Sequence, residues 1–141
     1  MSETLYTGTV TSTGGGRDGR VVSTDGQIDF AVRPPKELGG SGEGVNPETL
    51  FAAAWAACFN GALQKTMKEA GVSVEEHAPE VTADVSLNKD PKGFRLTGKI
   101  SVSFANQDAL EDAAGLVEKA HEFCPYSRAV RGDFDAEAVL A

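Results

Sequence analysis

The hydrophobic pattern of the chain is dominated by one stretch, Asn46 to Ala70. Asn46-Pro47-Glu48 is typical of a helix start, because asparagine caps free N–H groups, proline tolerates the first position and glutamate suits the positive dipole end. Ten apolar residues follow without a break, from Leu50 to Phe59, and Gly71 is a natural end. The pattern predicts a long helix that is buried on all sides, with Cys58 inside it.

Alternation of polar and apolar residues predicts strands on both sides of this helix. Three strands precede it, at Leu5–Thr13, Arg20–Thr24 and Gln27–Val32, and the Asp25-Gly26 pair indicates a tight hairpin. The later elements are a strand at Val81–Leu87, a loop at Asn88–Gly93, a strand at Phe94–Phe104, a helix capped by Asn106 and ended by Cys124-Pro125, and a strand at Asp133–Leu140. The order β-β-β-α-β-β-α-β, without a regular βα repeat, predicts one α+β domain over residues 1–141.

The long helix has no polar face along its first three turns. One layer of sheet covers only one side of a helix, so the remaining apolar surface needs another partner. A second copy of the chain is the simplest partner. We therefore expect a dimer with this helix at or near the subunit interface.

Composition and charge narrow the class of protein. The chain is 40% hydrophobic and 24% charged, as is ordinary for a globular protein, and its net charge is −8. That charge argues against nucleic-acid and anionic-membrane partners. The apolar run is too short to span a bilayer, and the polar N-terminal segment does not resemble a signal peptide, so a cytoplasmic location is expected. The glycine-rich Leu38–Val45 loop lacks the Gly-Lys-Ser/Thr of a phosphate-binding loop.

Two cysteines, Cys58 and Cys124, are too few for a disulfide scaffold. The simplest interpretation of Cys58 is a small buried hydrophobe, whose pKa burial would raise. A reactive Cys58 would need a cation from elsewhere, since it lies about ten residues into its helix, beyond the reach of the dipole. Arg17, in a glycine-rich turn, could supply that cation if a carboxylate partner accompanied it, although it could equally be a solvated turn residue.

Cys124 ends a helix, where the negative dipole end disfavours a thiolate and suits a resolving thiol better than an attacking one. The two cysteines together are compatible with a cycle of sulfenic acid and disulfide formation. A zinc site at His121 and Cys124 is the alternative. We expect no metal, because the chain has only two His and two Cys without finger-like spacing.

Six short pieces of the sequence resemble those of a known family in order and spacing. They are Leu5-Tyr6-Thr7; Gly15-Gly16-Arg17-Asp18-Gly19-Arg20; Glu37-Leu38-Gly39-Gly40; Asn46-Pro47-Glu48 with Leu50-Phe51-Ala52-Ala53; Ala57-Cys58-Phe59; and Cys124-Pro125-Tyr126-Ser127 with Arg131-Gly132. Over essentially its whole length the chain resembles the organic hydroperoxide resistance family, within the osmotically inducible protein C superfamily. Asp133 and Trp55 depart from the family pattern, which could alter the size of a pocket.

The resemblance implies a cysteine-based peroxidase that reduces organic hydroperoxides to alcohols. It makes Cys58 the peroxidatic and Cys124 the resolving cysteine, with Arg17 and Glu48 as the activating pair. It also implies an intertwined α+β homodimer with active sites at the interface and no bound cofactor. The implied electron donor is dihydrolipoamide or a lipoylated protein.

Four residues are candidates for an apolar substrate pocket: Leu38, Phe51, Trp55 and Phe59. Plain core packing explains each of them equally well. A non-enzymatic module that binds apolar molecules, with inert cysteines, remains an alternative function. So does a peroxidase of the sister branch with a different substrate preference.

Glu48 and Cys58 lie ten residues apart, about 15 Å along a straight helix. One arginine can hardly reach both positions on the same helix. We therefore hypothesise that Arg17 and Glu48 of one subunit complete the site around Cys58 of the other, or that the helix kinks between them.

Overall fold

A computed structural model describes residues 2–141 of the chain and confirms the α+β class. The strands are β1 (Val10–Gly15), β2 (Asp18–Ser23), β3 (Asp29–Ala31), β4 (Pro79–Asp90) and β5 (Gly93–Phe104), and the helices are α1 (Pro47–Glu69), α2 (Ala113–Phe123) and α3 (Pro125–Val130). Short 3₁₀ turns occur at Lys36–Leu38 and Gln107–Ala109. The chain divides into two compact units, one ending at Leu50 and the other covering Phe51–Ala141. Among residues 2–141, no helix combines the length and apolar character needed to cross a bilayer.

The first unit contains the predicted meander, with β1, β2 and β3 antiparallel in that order. Gly16 and Arg17 form a two-residue turn between β1 and β2, where Gly16 has a φ of 69°. A glycine with positive φ at the first loop position is typical of a type II′ hairpin turn. Arg17 therefore sits at the tip of a tight hairpin.

The predicted strand bounds of the first unit need correction, and the third strand is only Asp29–Ala31, shorter than the predicted Gln27–Val32. The first strand begins at Val10 instead of Leu5, so residues 5–9 lie outside it. The Asp25-Gly26 connection is a longer loop instead of a two-residue turn. There the Asp25 carboxylate accepts a hydrogen bond from the Gln27 N–H at 3.0 Å and another from the Ser23 hydroxyl.

The second unit contains a long antiparallel hairpin of β4 and β5, with Pro79 opposite Phe104 and Asp90 opposite Gly93. The predicted loop at Asn88–Gly93 is shorter in the structure, since pairing continues to Asp90. This hairpin packs on α1, and the core of the unit is the set Trp55, Phe59, Ala62, Leu63, Met67, Phe104, Leu116, Ala120 and Cys124.

The predicted long helix is confirmed as α1, with the expected caps at both ends. The Asn46 side chain accepts the Thr49 N–H at 2.9 Å. At the other end Gly71 has a φ of 73°, and the Val72 N–H donates to the Met67 carbonyl in a Schellman arrangement.

The prediction that this helix is buried on all sides is wrong for a single chain. Only one face is buried, comprising Trp55, Phe59, Ala62, Leu63, Thr66 and Met67. Ala53, Ala57 and Gly61, spaced one turn apart, are exposed. The reason is that the hairpin and α2 cover the helix from one side only.

The second helix begins later than predicted. Asn106 precedes a 3₁₀ turn, whereas the cap of α2 is Asp112, whose carboxylate accepts the Gly115 N–H at 3.0 Å. As predicted, α2 ends before Cys124-Pro125. The short helix α3 that follows was not predicted, although Pro125 occupies its first position. Cys124 therefore ends one helix and begins the next.

The predicted strand at Asp133–Leu140 is wrong for this chain. In the described structure, residues 133–141 form neither helix nor strand. Phe134 and Leu140 are 70% and 100% exposed. Alternation alone does not make a strand, because a strand needs a neighbour with which to exchange hydrogen bonds.

Candidate active site

The two cysteines, 66 positions apart in sequence, meet inside the second unit. The Cys124 Sγ lies 3.7 Å from the Cys58 Sγ, and both thiols are free. A disulfide requires about 2.05 Å between its sulfurs, so a small movement would join them. The two free thiols are therefore within the range from which a disulfide could form.

Cys58, which was expected to be deeply buried, is the less buried of the two cysteines. Cys124 is fully buried in the core, whereas Cys58 is only partly buried. Of the two cysteines, Cys58 is therefore the more exposed residue.

The surroundings of Cys58 disfavour its thiolate form. Burial raises the pKa of the Cys58 thiol and the adjacent Cys124 raises it further, whereas a hydrogen bond from the Tyr126 backbone N–H lowers it. The net shift is upward. A reactive thiolate at neutral pH therefore requires positive charge close to Cys58.

The contact of the Tyr126 N–H with Cys58 was not predicted from the sequence. This N–H belongs to the first turn of α3, where backbone N–H groups have no partner within the helix. Pro125 at the first helical position was the available signal, since proline is favoured there. The sequence interpretation places Cys124 only at the end of α2.

Arg17 and Glu48 form an ion pair within the first unit. The Arg17 Nη2 donates to the Glu48 Oε1 at 2.7 Å, and Nη1 donates to Oε2 at 3.2 Å. The Arg17 side chain is 49% exposed and that of Glu48 is 11% exposed. The hydrogen bond from Arg17 lowers the pKa of Glu48, and the same bond raises the pKa of Arg17. The guanidinium is thus held by two hydrogen bonds while about half of the Arg17 side chain remains exposed to solvent.

The four candidate pocket residues occupy different environments. Phe51 and Trp55 pack edge to face with their ring centroids 6.3 Å apart. Phe59 is fully buried in the core, and Leu38 is exposed on the 3₁₀ turn of the first unit. An apolar cavity of about 640 Å³ is lined by Phe51, Pro125, Tyr126, Ala129, Val130, Asp133 and Phe134. Phe51 is thus the candidate that faces this cavity beside α3.

Metal-ligating side chains are dispersed in the part of the chain that the structure describes. Across residues 2–141, no three His, Cys, Asp or Glu side chains converge as a metal site would require. The His121 ring instead lies 6.4 Å from the Phe59 ring, centroid to centroid.

Comparison with known proteins identifies the family. A family model described as OsmC-like protein matches residues 40–137. The chain is 40% identical over 138 residues to the organic hydroperoxide resistance protein of Xanthomonas axonopodis pv. citri, covering 97% of this chain and 95% of the relative. It is 42% identical over 138 residues to OhrB of Bacillus subtilis, covering 96% and 98%. The chain belongs to the organic hydroperoxide resistance family. The predicted resemblance to this family is thereby confirmed.

Solved structures of this family share the fold. The organic hydroperoxide resistance protein OsmC from Legionella pneumophila superposes with a TM-score of 0.82 at 40% identity, over 94% of this chain and 95% of its own. OhrB of Bacillus subtilis gives a TM-score of 0.77 at 43% identity, over 94% and 96%. The α+β arrangement that holds the two cysteines is therefore that of the family.

Proposed function

We propose that this protein is a thiol peroxidase that reduces organic hydroperoxides to alcohols. The observation that carries the proposal is the 3.7 Å separation of two free sulfurs, one partly accessible and one buried. Relatives at about 40% identity named organic hydroperoxide resistance proteins support the substrate class. The reaction then detoxifies peroxides that carry an organic group.

The reaction begins at Cys58. Its thiolate attacks the terminal peroxide oxygen, the O–O bond breaks, and the alkoxide leaves and takes a proton to become the alcohol. Cys58 is left as a sulfenic acid. Cys124 then attacks the sulfenic sulfur, and the hydroxyl leaves with the Cys124 proton as water. The product is a Cys58–Cys124 disulfide.

A dithiol must reduce this disulfide before the next turnover. We propose dihydrolipoamide or a lipoylated protein as the donor, whose two thiols are oxidised to one disulfide as Cys58 and Cys124 are regenerated. No bound cofactor takes part in this scheme, since both electrons pass through sulfur.

Activation of Cys58 is assigned to the Arg17–Glu48 pair. A guanidinium near Cys58 would offset the upward shift in its pKa and stabilise charge on the peroxide oxygens. Glu48 fixes the guanidinium by two hydrogen bonds. Because Arg17 is bound at the start of α1, ten residues from Cys58, we propose that the pair serves the Cys58 of a second copy.

A homodimer is therefore part of the proposal. Its support is apolar surface that one chain leaves open: the alanine face of α1 at Ala53 and Ala57, and exposed apolar side chains near both ends of the described residues. Leu5 is 88% exposed and Leu140 is fully exposed. Apolar surface of this kind usually marks a protein interface.

The apolar cavity beside α3 supports an organic substrate and also favours a second candidate function. With a volume of about 640 Å³ and mostly apolar walls, it is suited to hold the organic part of a hydroperoxide. The same cavity would serve a module that only binds apolar molecules, with both cysteines inert.

Thiol titration separates the two functions. The reduced protein is mixed with one equivalent of cumene hydroperoxide, and free thiols and mass are measured. A peroxidase loses two thiols per chain and two mass units, and reduced lipoamide restores both more rapidly than thioredoxin does. Unchanged thiols after exposure to peroxide would refute the peroxidase and leave the binding module. Cys58→Ser is the control and should lose no Cys124 thiol.

A further inference from the structure

A buried hydrogen bond ties α3 to α1 beside the two thiols. The Trp55 Nε1–H donates to the Ser127 Oγ at 3.0 Å, across 72 positions of sequence. Ser127 is fully buried and Trp55 nearly so. Neither residue has a part in the thiol chemistry described above, and a buried hydroxyl in a core of apolar residues needs a reason.

This bond joins the same two parts of the chain as the sulfur pair does. Trp55 and Cys58 lie three residues apart on α1, and Cys124 and Ser127 lie three residues apart at the start of α3. Residues at that spacing share one face of a helix. Helix α1 therefore meets this part of the chain twice, once at Cys124, the N-cap of α3, through the sulfurs at 3.7 Å, and once within α3 through the indole and hydroxyl.

The indole is itself held firmly. A methyl group at Gly98 would come within 2.4 Å of the Trp55 Cζ3, so β5 approaches the ring as closely as a glycine allows. Phe51 packs against the same ring, edge to face. The direction of the Trp55 N–H is thus set by its neighbours, and α3, only six residues long, is positioned against it.

We propose that Trp55 and Ser127 are positioning residues for the second chemical step. Their hydrogen bond holds α3 in register, so that the Cys124 sulfur stays opposite Cys58 and closes the disulfide before a second peroxide arrives. In that step Cys58–SOH and Cys124–SH give the disulfide and water. When α3 shifts, a second hydroperoxide instead converts the sulfenic acid to a sulfinic acid. This inference rests on the proposed peroxidase function.

Competition between disulfide closure and overoxidation measures the effect. Reduced protein is exposed to increasing cumene hydroperoxide, and mass spectrometry gives the ratio of disulfide to sulfinic acid on Cys58. Losing one buried hydrogen bond should slow closure about tenfold. Ser127→Ala should therefore be half overoxidised at a peroxide concentration about tenfold below that of the unmodified protein. Ser127→Thr keeps an oxygen acceptor but adds a buried methyl group, so its ratio should lie between those of Ser127→Ala and the unmodified protein.

Thr66→Ala is the matched control. Thr66 is a buried hydroxyl residue on the same helix, and its Oγ1 donates to the Ala62 carbonyl. The variant loses a comparable hydrogen bond away from α3, so its ratio should stay that of the unmodified protein. Trp55, the sole tryptophan of the chain, should change its emission maximum in Ser127→Ala and not in Thr66→Ala.

The outcomes are distinct. If Ser127→Ala closes its disulfide as fast as the unmodified protein, or if Thr66→Ala shows the same defect, the inference is overturned while the peroxidase stands. Should Ser127→Ala fail to fold, Trp55→Phe removes the donor from the other side and must show the same excess of sulfinic acid. An unmodified protein that forms no disulfide overturns the proposed function, and this inference with it.

Discussion

Arg17 and Glu48, 31 positions apart, face each other through two parallel hydrogen bonds of 2.7 and 3.2 Å. Two parallel hydrogen bonds to one carboxylate fix the plane of the guanidinium. A lysine ammonium, which acts as a point charge, could not be oriented in this way. Arg17 comes from the tip of a hairpin and Glu48 from the first turn of α1. The guanidinium is thus held in a fixed orientation while about half of the Arg17 side chain stays exposed.

Removal of this cation should change the pH dependence of Cys58 oxidation. In the unmodified protein we expect the oxidation rate of Cys58 to be half-maximal at a pH below about 8.5, the usual pKa of a thiol. In Arg17→Ala the midpoint should move above that value, because burial alone raises the pKa of Cys58. If the pH of half-maximal rate rises by about one pH unit, the rate at neutral pH falls about tenfold, because the thiolate fraction falls by that factor. Stopped-flow oxidation at several pH values measures it.

Arg20→Ala is the matched control for that experiment. Arg20 lies on β2 of the same hairpin and pairs with Asp29 at 2.5 Å, so the variant loses the same charge from the same sheet. Its pH profile should match that of the unmodified protein. Full activity of Arg17→Ala at neutral pH would contradict the activation argument.

The same ion pair should make the free energy of unfolding depend on pH. The pKa of Glu48 is lowered in the folded chain, so its contribution is present above the unfolded value of about 4.3 and is lost as pH falls through the folded value. Glu48→Gln should therefore be less stable at pH 7, by up to about 1 kcal/mol given the exposure of Arg17. The difference should shrink below about pH 4.

Urea unfolding at pH 7 and at pH 3.5 tests this expectation. Glu37→Gln removes one exposed negative charge from the 3₁₀ turn of the same unit, and should change the free energy of unfolding little at either pH. A Glu48→Gln deficit that persists unchanged at pH 3.5 would argue that lost packing, and not lost charge, is responsible.

Gly98→Ala should destabilise the protein. Its new methyl group would lie 2.4 Å from the Trp55 Cζ3, and the ring is tied through its N–H to Ser127. Overpacking of this kind costs about 1–3 kcal/mol in unfolding free energy. Gly8→Ala places its methyl group at an ordinary 3.6 Å from the Tyr6 ring and should be nearly neutral. Equal stability of the two variants would mean that the ring yields without cost.

A charge on the exposed alanine face of α1 should disrupt the proposed dimer. We expect Ala53→Arg to sediment as a monomer at concentrations where the unmodified protein sediments as a dimer, because an unpaired charge at an apolar interface loses its hydration. Ala105→Arg, at an exposed turn alanine, is the control and should stay dimeric. A dimeric Ala53→Arg would place the interface elsewhere.

Local signals explain what could be predicted from the sequence. Asn46 and Gly71 act on their own neighbours in the chain, so the bounds of α1 follow from the sequence directly. The strands β4 and β5 follow from their alternation. The end of their hairpin was misplaced, since several turn-forming residues compete there and pairing between strands decides among them.

Distant contacts explain what could not be predicted. No periodicity links Cys58 to Cys124 or Trp55 to Ser127. The sequence shows that two cysteines are available for a disulfide cycle, and only the resemblance to a family assigns their separate roles. Helix α3 was missed because a six-residue helix shows little periodicity, and Pro125 was interpreted as the end of α2 alone. The prediction of a strand near Leu140 was wrong because alternation with a period of two indicates only a preferred backbone conformation. It does not supply the neighbouring strand that the segment would have to pair with.

Cys124 joins two helices through its own backbone: its N–H donates to Ala120 at 2.8 Å, and its carbonyl accepts from Arg128 at 2.9 Å. A bond from its sulfur to Cys58 would therefore pull on the last turn of α2 and the first turn of α3 together. Amide hydrogens in these two turns should exchange with deuterium at rates that depend on the redox state of the sulfurs. The backbone itself would then report oxidation at this junction, with no added label.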